Sequence, residues 1–316
     1  MLARIANSLY WTGRYIERSE HLARYLRVQY FSMQDAPMSQ SREFTLRSIL
    51  NMYGVEPSEG EVLEEQAILK KVGMDYDNPH SIRSTIRLAR ENARSLRHMI
   101  SSELWESVNT FYVYSNSRDP EIFATQGLYE FTNEVDRNCA IIRSRIDDTL
   151  LQNDTWVLIK LGVHLERTVQ VLRILNSKLN DIDIITDRGA NRALQQYQGT
   201  VLLKILQGFD MHRKAYRQTL TPKTTVEFLV GHPHFARSVT YNMGCVHRLL
   251  DRMDANSNDR NPVLFQAGKL YHKFRYLEYE DIANQLNVQL ASAIDQVYEL
   301  HNAIAERYLN TVNPST

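Results

Sequence analysis

The segments GRYIERSEH (residues 13–21) and GVHLERTVQ (residues 162–170) place a glycine and a Glu-Arg pair at the same spacing. Around both segments apolar residues recur every third or fourth position, which is the period of one face of an α-helix. The two apolar stripes keep one register at an offset of 149 positions, and they comprise Leu2, Ile5, Leu9, Ile16, Ala23, Tyr30, Leu151, Leu158, Leu165 and Leu172. The shared pattern, G-x3-E-R-x5-R, therefore predicts two equivalent helices.

The composition also favours helices. Average usage would place about 22 glycines and about 16 prolines in a chain of this length, whereas its 316 residues include 12 and 8. Lys and Arg together number 37, as do Asp and Glu, so the formal net charge is zero. A neutral chain has no global field that would draw it to nucleic acid or to anionic lipid, and we expect neither as a partner.

The cysteine count, the N-terminal segment and the lengths of the apolar stretches indicate the cellular compartment. Cys139 and Cys245 are too few for a disulfide framework. The N-terminal MLARIANSLYW alternates polar and apolar residues and lacks the apolar core of a signal peptide. No stretch approaches the roughly 18 apolar residues of a membrane span. We therefore expect a cytoplasmic protein.

Proline positions predict where several helices begin. Asn78-Pro79, Asp119-Pro120, Thr221-Pro222 and Asn261-Pro262 each pair an N-cap side chain with proline at the first helical position, and Ser58-x-x-Glu61 has the spacing of a capping box. Because no run alternates strictly, the sequence predicts an all-α multi-helix bundle of about 10–12 helices. The predicted helices lie near residues 2–31, 41–52, 59–72, 79–100, 102–116, 120–151, 154–179, 188–219, 222–230, 235–254, 262–278 and 280–310. Polar joints are expected near 32–40, 180–187 and 254–261.

The repeat bears on domain organisation and on a candidate site. We expect a single domain over residues 1–316 or two packed helical halves, about 1–150 and 151–316. A glycine that faces another helix lets backbones approach closely, so a carboxylate one turn away is desolvated and needs a partner. The candidate polar or helix-pairing site comprises Gly13, Glu17, Arg18, Arg24, Gly162, Glu166, Arg167 and Arg173.

Two interpretations of these glutamates remain open. Adjacent helical residues diverge by about 100°, so Arg18 is not the partner of Glu17 within its own helix, and two different partners are implied. The glutamates either bind arginines from elsewhere and fix the helix register, or they converge across a pseudo-twofold to make a polar site. A ferritin-like di-iron site is not indicated, because Glu-x-x-His does not occur in the chain.

A second candidate lies in SIRSTIRLARENARSLRHMI (residues 81–100), where arginines recur at spacings of four, three, four and three. This spacing predicts one basic helix edge, formed by Arg83, Arg87, Arg90, Arg94 and Arg97. Its charges are either covered by carboxylates such as Glu91, Glu103 and Glu106, or they form a docking edge for phosphate, nucleotide or an acidic partner.

Metal and cofactor chemistry find little support. His232 and His234 are followed by Cys245 and His247, but the last two point about 200° apart on any helix and so do not converge on one metal ion. The chain has no Gly-rich phosphate loop, nucleophile elbow or His-Glu-x-x-His. We predict neither a metal site nor a cofactor.

Several segments together resemble the bacterial Alpha-E family, a predicted α-helical domain named for its ER motif. They are the two Glu-Arg segments, ARENARSLRHMISSELWESVN (residues 89–109), VLLKILQGFDMHRKAYR (residues 201–217) and EFLVGHPHFARSV (residues 227–239). The resemblance spans nearly the whole chain. It implies association with ATP-grasp peptide-ligase-like enzymes, transglutaminase-like proteins and proteasome-like peptidases, and through them with peptide synthesis or modification.

Two functional classes are compatible with these observations. The protein is either a non-catalytic helical adaptor of an ATP-grasp ligase system, or an enzyme that uses paired glutamates as acid and base on a peptide or amino-acid substrate. No nucleophile and base occur at a diagnostic spacing in the chain, which favours the adaptor.

Overall fold

The computed structural model describes residues 2–35, 42–55, 62–187, 192–254 and 261–310. Within these ranges every regular element is a helix, so the predicted all-α bundle is confirmed. The helices are α1 (Ala3–Asp35), α2 (Arg42–Met52), α3 (Glu65–Gly73), α4 (Ile82–Ser95), α5 (Ser102–Asn116), α6 (Pro120–Ile122), α7 (Leu128–Thr149), α8 (Asp154–Asp187), α9 (Arg192–Ile205), α10 (Phe209–Tyr216), α11 (Pro222–Val226), α12 (Val239–Asp254), α13 (Pro262–Arg275), α14 (Tyr279–Ile282) and α15 (Leu286–Ile304). Helices α6, α11 and α15 each continue into a single π-helical turn, at Phe123–Gly127, Glu227–Gly231 and Ala305–Leu309. Helix α14 continues into a 3-10 turn at Ala283–Gln285.

The two Glu-Arg segments lie on the two longest of these helices, α1 with 33 residues and α8 with 34. The helices pack against each other in the centre of the bundle. Helices α4 and α7 cover α1, while α12 and α15 cover α8. Most residues of the two apolar stripes are buried between these layers. Leu2 and Leu151, the first residue of each stripe, are exposed. One continuous cluster of buried apolar side chains includes residues from both halves of the chain.

Three of the four predicted helix starts are confirmed. Asp119, Thr221 and Asn261 each cap a helix with a side-chain oxygen that accepts backbone N–H groups, and proline follows each of them. The prediction for Asn78-Pro79 is wrong. The Asn78 side chain accepts from His80 N at 2.9 Å and closes a turn, and α4 begins after Ser81, whose hydroxyl accepts from Ser84 N at 3.0 Å.

Some predicted joints are helical instead. Helix α1 continues to Asp35, into the joint expected at 32–40, whose residues 36–40 lie outside the described residues, and α8 continues to Asp187, through the whole joint expected at 180–187. The polar residues near the end of α8 have partners both in the helix and on α1, since Lys178 donates to Asp181 at 2.9 Å and to Gln29 at 3.1 Å, so they do not end it. The predicted helix 188–219 is broken between α9 and α10, where Gln207 has a φ of 53°. Ser58 and Glu61 lie outside the described residues, as do residues 255–260 of the third joint.

Candidate functional site

The two repeated glycines lie at the closest approach of α1 and α8. A Cβ atom on Gly13 would lie 2.2 Å from the carbonyl oxygen of Ile159, and one on Gly162 would lie 2.1 Å from that of Tyr10. Because Ile159 is the repeat equivalent of Tyr10, the contact is reciprocal. The two helices run parallel, and at Gly13 and Gly162 their backbones are too close for any side chain larger than hydrogen. The Glu-Arg pair that follows each glycine therefore lies in the interface between the helices.

Each glutamate of the repeat binds the arginine of the opposite helix. Arg167 donates from Nε and Nη2 to the two carboxylate oxygens of Glu17, at 2.6 and 2.8 Å. Arg18 donates in the same way to Glu166, at 2.6 and 3.0 Å. Both glutamates are fully buried. The partners are thus two different arginines from elsewhere in the chain, and each is the arginine that follows the other glutamate.

The two ion pairs differ in their further contacts. Glu166 also accepts from Arg14 Nε at 2.6 Å and from Gln170 Nε2 at 2.8 Å. The Arg14 guanidinium lies 4.7 Å from the centre of the Trp11 ring, which shields it from water. Glu17 instead accepts from His21 Nε2 at 3.0 Å. We call the two ion pairs between α1 and α8, Glu17–Arg167 and Glu166–Arg18, the Glu-Arg exchange. The repeat is symmetric in these two pairs and asymmetric in the side chains around them.

Electrostatics keep both carboxylates ionised. Burial raises the pKa of Glu17, but Arg167 and His21 lower it more, so this pKa lies well below its ordinary value. Burial likewise raises the pKa of Glu166, and Arg18 and Arg14 reverse the shift, so its pKa is also lowered. A carboxylate that stays ionised and is held by bidentate arginine does not carry a proton to donate near neutral pH.

The last arginines of the two patterns have different environments. Arg24 is buried and donates to Asp136 Oδ1 at 3.0 Å and to Glu20 through a shorter contact. Arg173 donates to the carbonyl oxygen of Met52 at 2.9 Å and lines an open cavity of about 320 Å³. The structure does not bring these two arginines to one site.

Glu17 belongs to a wider charged network that the sequence did not predict. Members from α7 and from the segment before α12 meet those of α1 around Glu20, one turn after Glu17. Glu20 accepts from Arg237 Nη2 at 2.8 Å and from Arg143 through a shorter contact. Of its members, Glu17, Arg24 and Arg167 could be identified from the sequence, but those on α7 and before α12 could not, because helical spacing does not show partners on other elements.

The predicted basic edge of α4 needs two corrections. Arg83 is only 7% exposed, and its Nη2 donates to the carbonyl oxygens of Ser115, at 3.1 Å, and Arg118. It ties α4 to the end of α5 and is not part of a surface. Arg97 lies beyond the last residue of α4, because the helix ends at Ser95 rather than near residue 100.

The remaining four arginines form a surface that we call the arginine edge: Arg87, Arg90, Arg94 and Arg97. Aromatic rings lie beneath three of them, with Tyr76 at 5.0 Å from Arg87, Tyr112 at 5.0 Å from Arg90 and Trp105 at 5.0 Å from Arg97. Of the three carboxylates expected to cover the edge, Glu91 pairs with Arg90 and Arg94. Within the described ranges, Glu103 and Glu106 form no ion pair with it.

Within the described part of the chain, no three His, Cys, Asp or Glu side chains are grouped so that they could hold a metal ion. His232 and His234 pack beside each other near Phe228. Cys245 lies on α12, where Arg248 Nη2 approaches its sulfur at 3.1 Å. None of the described helices combines the length and the apolarity that crossing a membrane requires.

One family model matches residues 1–309, and its description is a predicted alpha-helical domain with a conserved ER motif. The chain belongs to the Alpha-E family. Two Glu-Arg pairs of this Alpha-E chain, Glu17-Arg18 and Glu166-Arg167, form the reciprocal exchange between α1 and α8. A third, Glu306-Arg307, lies in a π-helical turn away from the exchange, with Arg307 at 4.0 Å from Asp254. No curated protein and no solved structure matches the chain.

Proposed function

We propose that this Alpha-E chain is a non-catalytic accessory protein of a peptide synthesis or modification system in the bacterial cytoplasm. Its main partner in this proposal is an ATP-grasp peptide-ligase-like protein, and a transglutaminase-like protein is a second one. The observation that carries the proposal is the Glu-Arg exchange. Both glutamates are buried and ionised, and the arginines that hold them leave neither free to act as an acid.

The alternative function, an enzyme with paired glutamates as acid and base, requires one carboxyl group that is protonated near neutral pH. Such groups have raised pKa values because they are buried without a cation. The opposite holds for Glu17 and Glu166, since neighbouring arginines lower both pKa values. The exchange therefore supports a role in holding α1 and α8 in register.

The arginine edge is the surface that we assign to the partner. Among the described residues, its four guanidinium groups have one ion-paired carboxylate, Glu91, so they keep an excess of positive charge there. The rings of Tyr76, Trp105 and Tyr112 hold three of the side chains over apolar surface, which lowers the entropy that they would lose on binding. A surface of this kind fits an acidic patch on a partner.

The test replaces Arg87, Arg90 and Arg94 together by glutamate. The apolar side of α4 is untouched, so the variant should keep the circular dichroism spectrum and melting temperature of the wild type. It should lose association with an ATP-grasp peptide-ligase-like protein from the same organism, measured by isothermal titration calorimetry. Wild-type association should weaken with salt, because exposed charges are screened beyond roughly 10 Å at 0.1 M.

A control variant, Arg42→Glu with Arg137→Glu, reverses two exposed arginines outside the arginine edge. It lowers the net charge of the protein but leaves the arginine edge unchanged. This control should bind as the wild type does. The proposal is wrong if the folded triple variant retains both the affinity and the salt dependence of the wild type.

A further inference from the structure

The charged network around Glu17 and Glu20 is continuous from α1 to α7, α8 and the segment before α12. We call it the arginine network, and its ion-paired members are Arg24, Arg27, Arg143, Arg167, Arg237, Glu17, Glu20 and Asp136. Among the described residues, five arginines thus share three carboxylates. Asp147 and Lys160 lie beside the network and neutralise each other at 3.0 Å. Within the part of the chain that the structure describes, the network therefore keeps two positive charges without a counterpart.

His21 does not change this balance. It lies inside the network, where its Nε2 contacts Glu17 at 3.0 Å and Arg237 Nη1 at 3.4 Å. Burial lowers the pKa of His21 to about 4 against the opposing effect of Glu17. The imidazole is therefore neutral at physiological pH.

The excess charge is unfavourable in the protein as it stands. Burial and then the charge of Arg24 lower the pKa of Arg237 well below its ordinary value. Burial also lowers the pKa of Arg143, with Arg167 adding to the shift. Both shifts mean that the fold disfavours these positive charges.

The network also contains donors without acceptors. Arg24 is 1% exposed, and within the described residues its Nε and Nη1 have no hydrogen-bond partner. Unpaired buried donors are rare in folded proteins because water no longer satisfies them. Acceptor oxygens and negative charge are thus what this part of the molecule lacks.

The network is open to solvent beside Glu17 and Glu20. The side chains of Arg143, Arg237 and Arg167 are 25%, 12% and 11% exposed. Three guanidinium groups from three different elements therefore meet at the surface, above buried Glu17 and Glu20. A ligand that reaches these three guanidinium groups meets hydrogen-bond donors that ion pairs hold in place.

We propose that the arginine network binds a phosphoryl group, either of a small phosphorylated molecule or as free phosphate. A phosphate dianion carries the two negative charges that the network lacks, and its oxygens match the paired donors of guanidinium groups. The site is distinct from the arginine edge and does not depend on the accessory function proposed above.

The test measures the melting temperature of the full chain in phosphate and in sodium chloride at equal ionic strength. Phosphate should raise it progressively, because a ligand that binds only the folded state stabilises that state by an amount that grows with the logarithm of the ligand concentration. A phosphate monoester, glycerol 3-phosphate, is titrated beside inorganic phosphate by calorimetry. A higher affinity for the monoester identifies a phosphorylated molecule as the ligand, whereas equal affinities identify free phosphate.

Two variants connect the effect to the network. Arg143→Gln should abolish the response to phosphate, and without phosphate it should melt no lower than the wild type because it removes excess charge. Arg143→Lys keeps the charge and should retain part of the response. Arg137→Gln is the matched control on α7, since its side chain is 71% exposed outside the network.

Two results would overturn the proposal. One is an equal stabilisation by chloride, which would reduce the effect to screening of the arginines. The other is a wild-type response of Arg143→Gln to phosphate. Neither result would bear on the arginine edge, whose test uses a different surface and a protein partner.

Discussion

Glu17 and Arg18 are neighbours in the chain, yet they belong to different ion pairs. The divergence of adjacent helical positions excludes a pair within the helix, and this could be predicted from the sequence. The identity of the partners could not, because it depends on how α1 and α8 cross. That crossing is set by Gly13 and Gly162, which allow one register at backbone contact.

The exchange is expected to stabilise the fold. Glu17→Gln and Glu166→Gln keep the shape of the side chain but leave an arginine uncompensated, so each should lower the free energy of unfolding by about 3–5 kcal/mol. Urea unfolding measures this loss. Glu43→Gln is the control, because its ion pair with Arg47 is exposed. Unchanged stability with lost partner or ligand binding would instead place both glutamates in a functional site.

The glycines should tolerate no side chain. Gly13→Ala gains helix propensity, but its methyl group would overlap the carbonyl of Ile159, so α1 and α8 would have to separate. We expect a net loss of about 1–3 kcal/mol in the free energy of unfolding, measured in urea. At Gly231 an added methyl group meets nothing within 4 Å. A Gly231→Ala variant as unstable as Gly13→Ala would contradict this explanation.

At the scale of the element, α4 shows the limit of helical periodicity. The spacing of its arginines predicted one continuous edge, and three of the edge residues do lie together on the helix. Arg83 differs because it lies in the first turn, opposite the end of α5, where two carbonyl groups accept its Nη2. Periodicity identifies the face of a residue, whereas burial depends on what packs against that part of the face.

The two kinds of arginine should respond differently to truncation. Arg83→Ala removes charged hydrogen bonds to two backbone carbonyls and should lower the free energy of unfolding by about 1.5–3 kcal/mol. Arg97→Ala, on the exposed edge, should change it by no more than about 0.5 kcal/mol. Chemical denaturation of both variants measures the difference. Equal losses would show that Arg97 is also structural.

Helix starts could be predicted better than helix ends. A cap needs only local atoms, so Asp119, Thr221 and Asn261 identified their helices from sequence alone. The end of α8 depended on distant partners: Lys178 is buried because Gln29 of α1 accepts from it at 3.1 Å. The sequence does not show that contact, so the polar residues before Asp187 indicate a joint between helices.

At the scale of the whole molecule, the balanced composition conceals an uneven distribution of charge. Equal numbers of acidic and basic residues correctly give a net charge of zero. They say nothing of the arginine network, where five arginines from four parts of the chain meet three carboxylates. Such a site could not be predicted from composition because it exists only once α1, α7 and α8 are packed.

Buried neutral histidines should make the protein sensitive to mild acid. Burial lowers the pKa of His21 and of His164 from the ordinary 6.5 to about 4. Between these values the unfolded chain takes up protons that the folded chain does not. Stability should therefore fall as pH drops from 6.5 towards 4, by as much as about 1.4 kcal/mol per pH unit for each histidine.

Urea unfolding at several pH values between about 7 and about 5 tests this dependence. His21→Gln keeps a donor for Glu17 but does not titrate, so its stability should fall less steeply with pH than that of the wild type. His98, an exposed histidine past the end of α4, serves as the control position. A steeper slope for His21→Gln, or the same flattening for His98→Gln, would refute the explanation.

Two parallel helices that meet residue i to residue i + 149 have the arrangement of a symmetric dimer contained in one chain. A Glu-Arg pair is complementary to a second copy of itself, since each copy supplies one acceptor and one donor. Joining the copies makes their association independent of protein concentration. It also allows the copies to differ: Glu20 and His21 of the first correspond to Val169 and Gln170 of the second. A homodimer would build the arginine network twice, whereas the single chain builds it once.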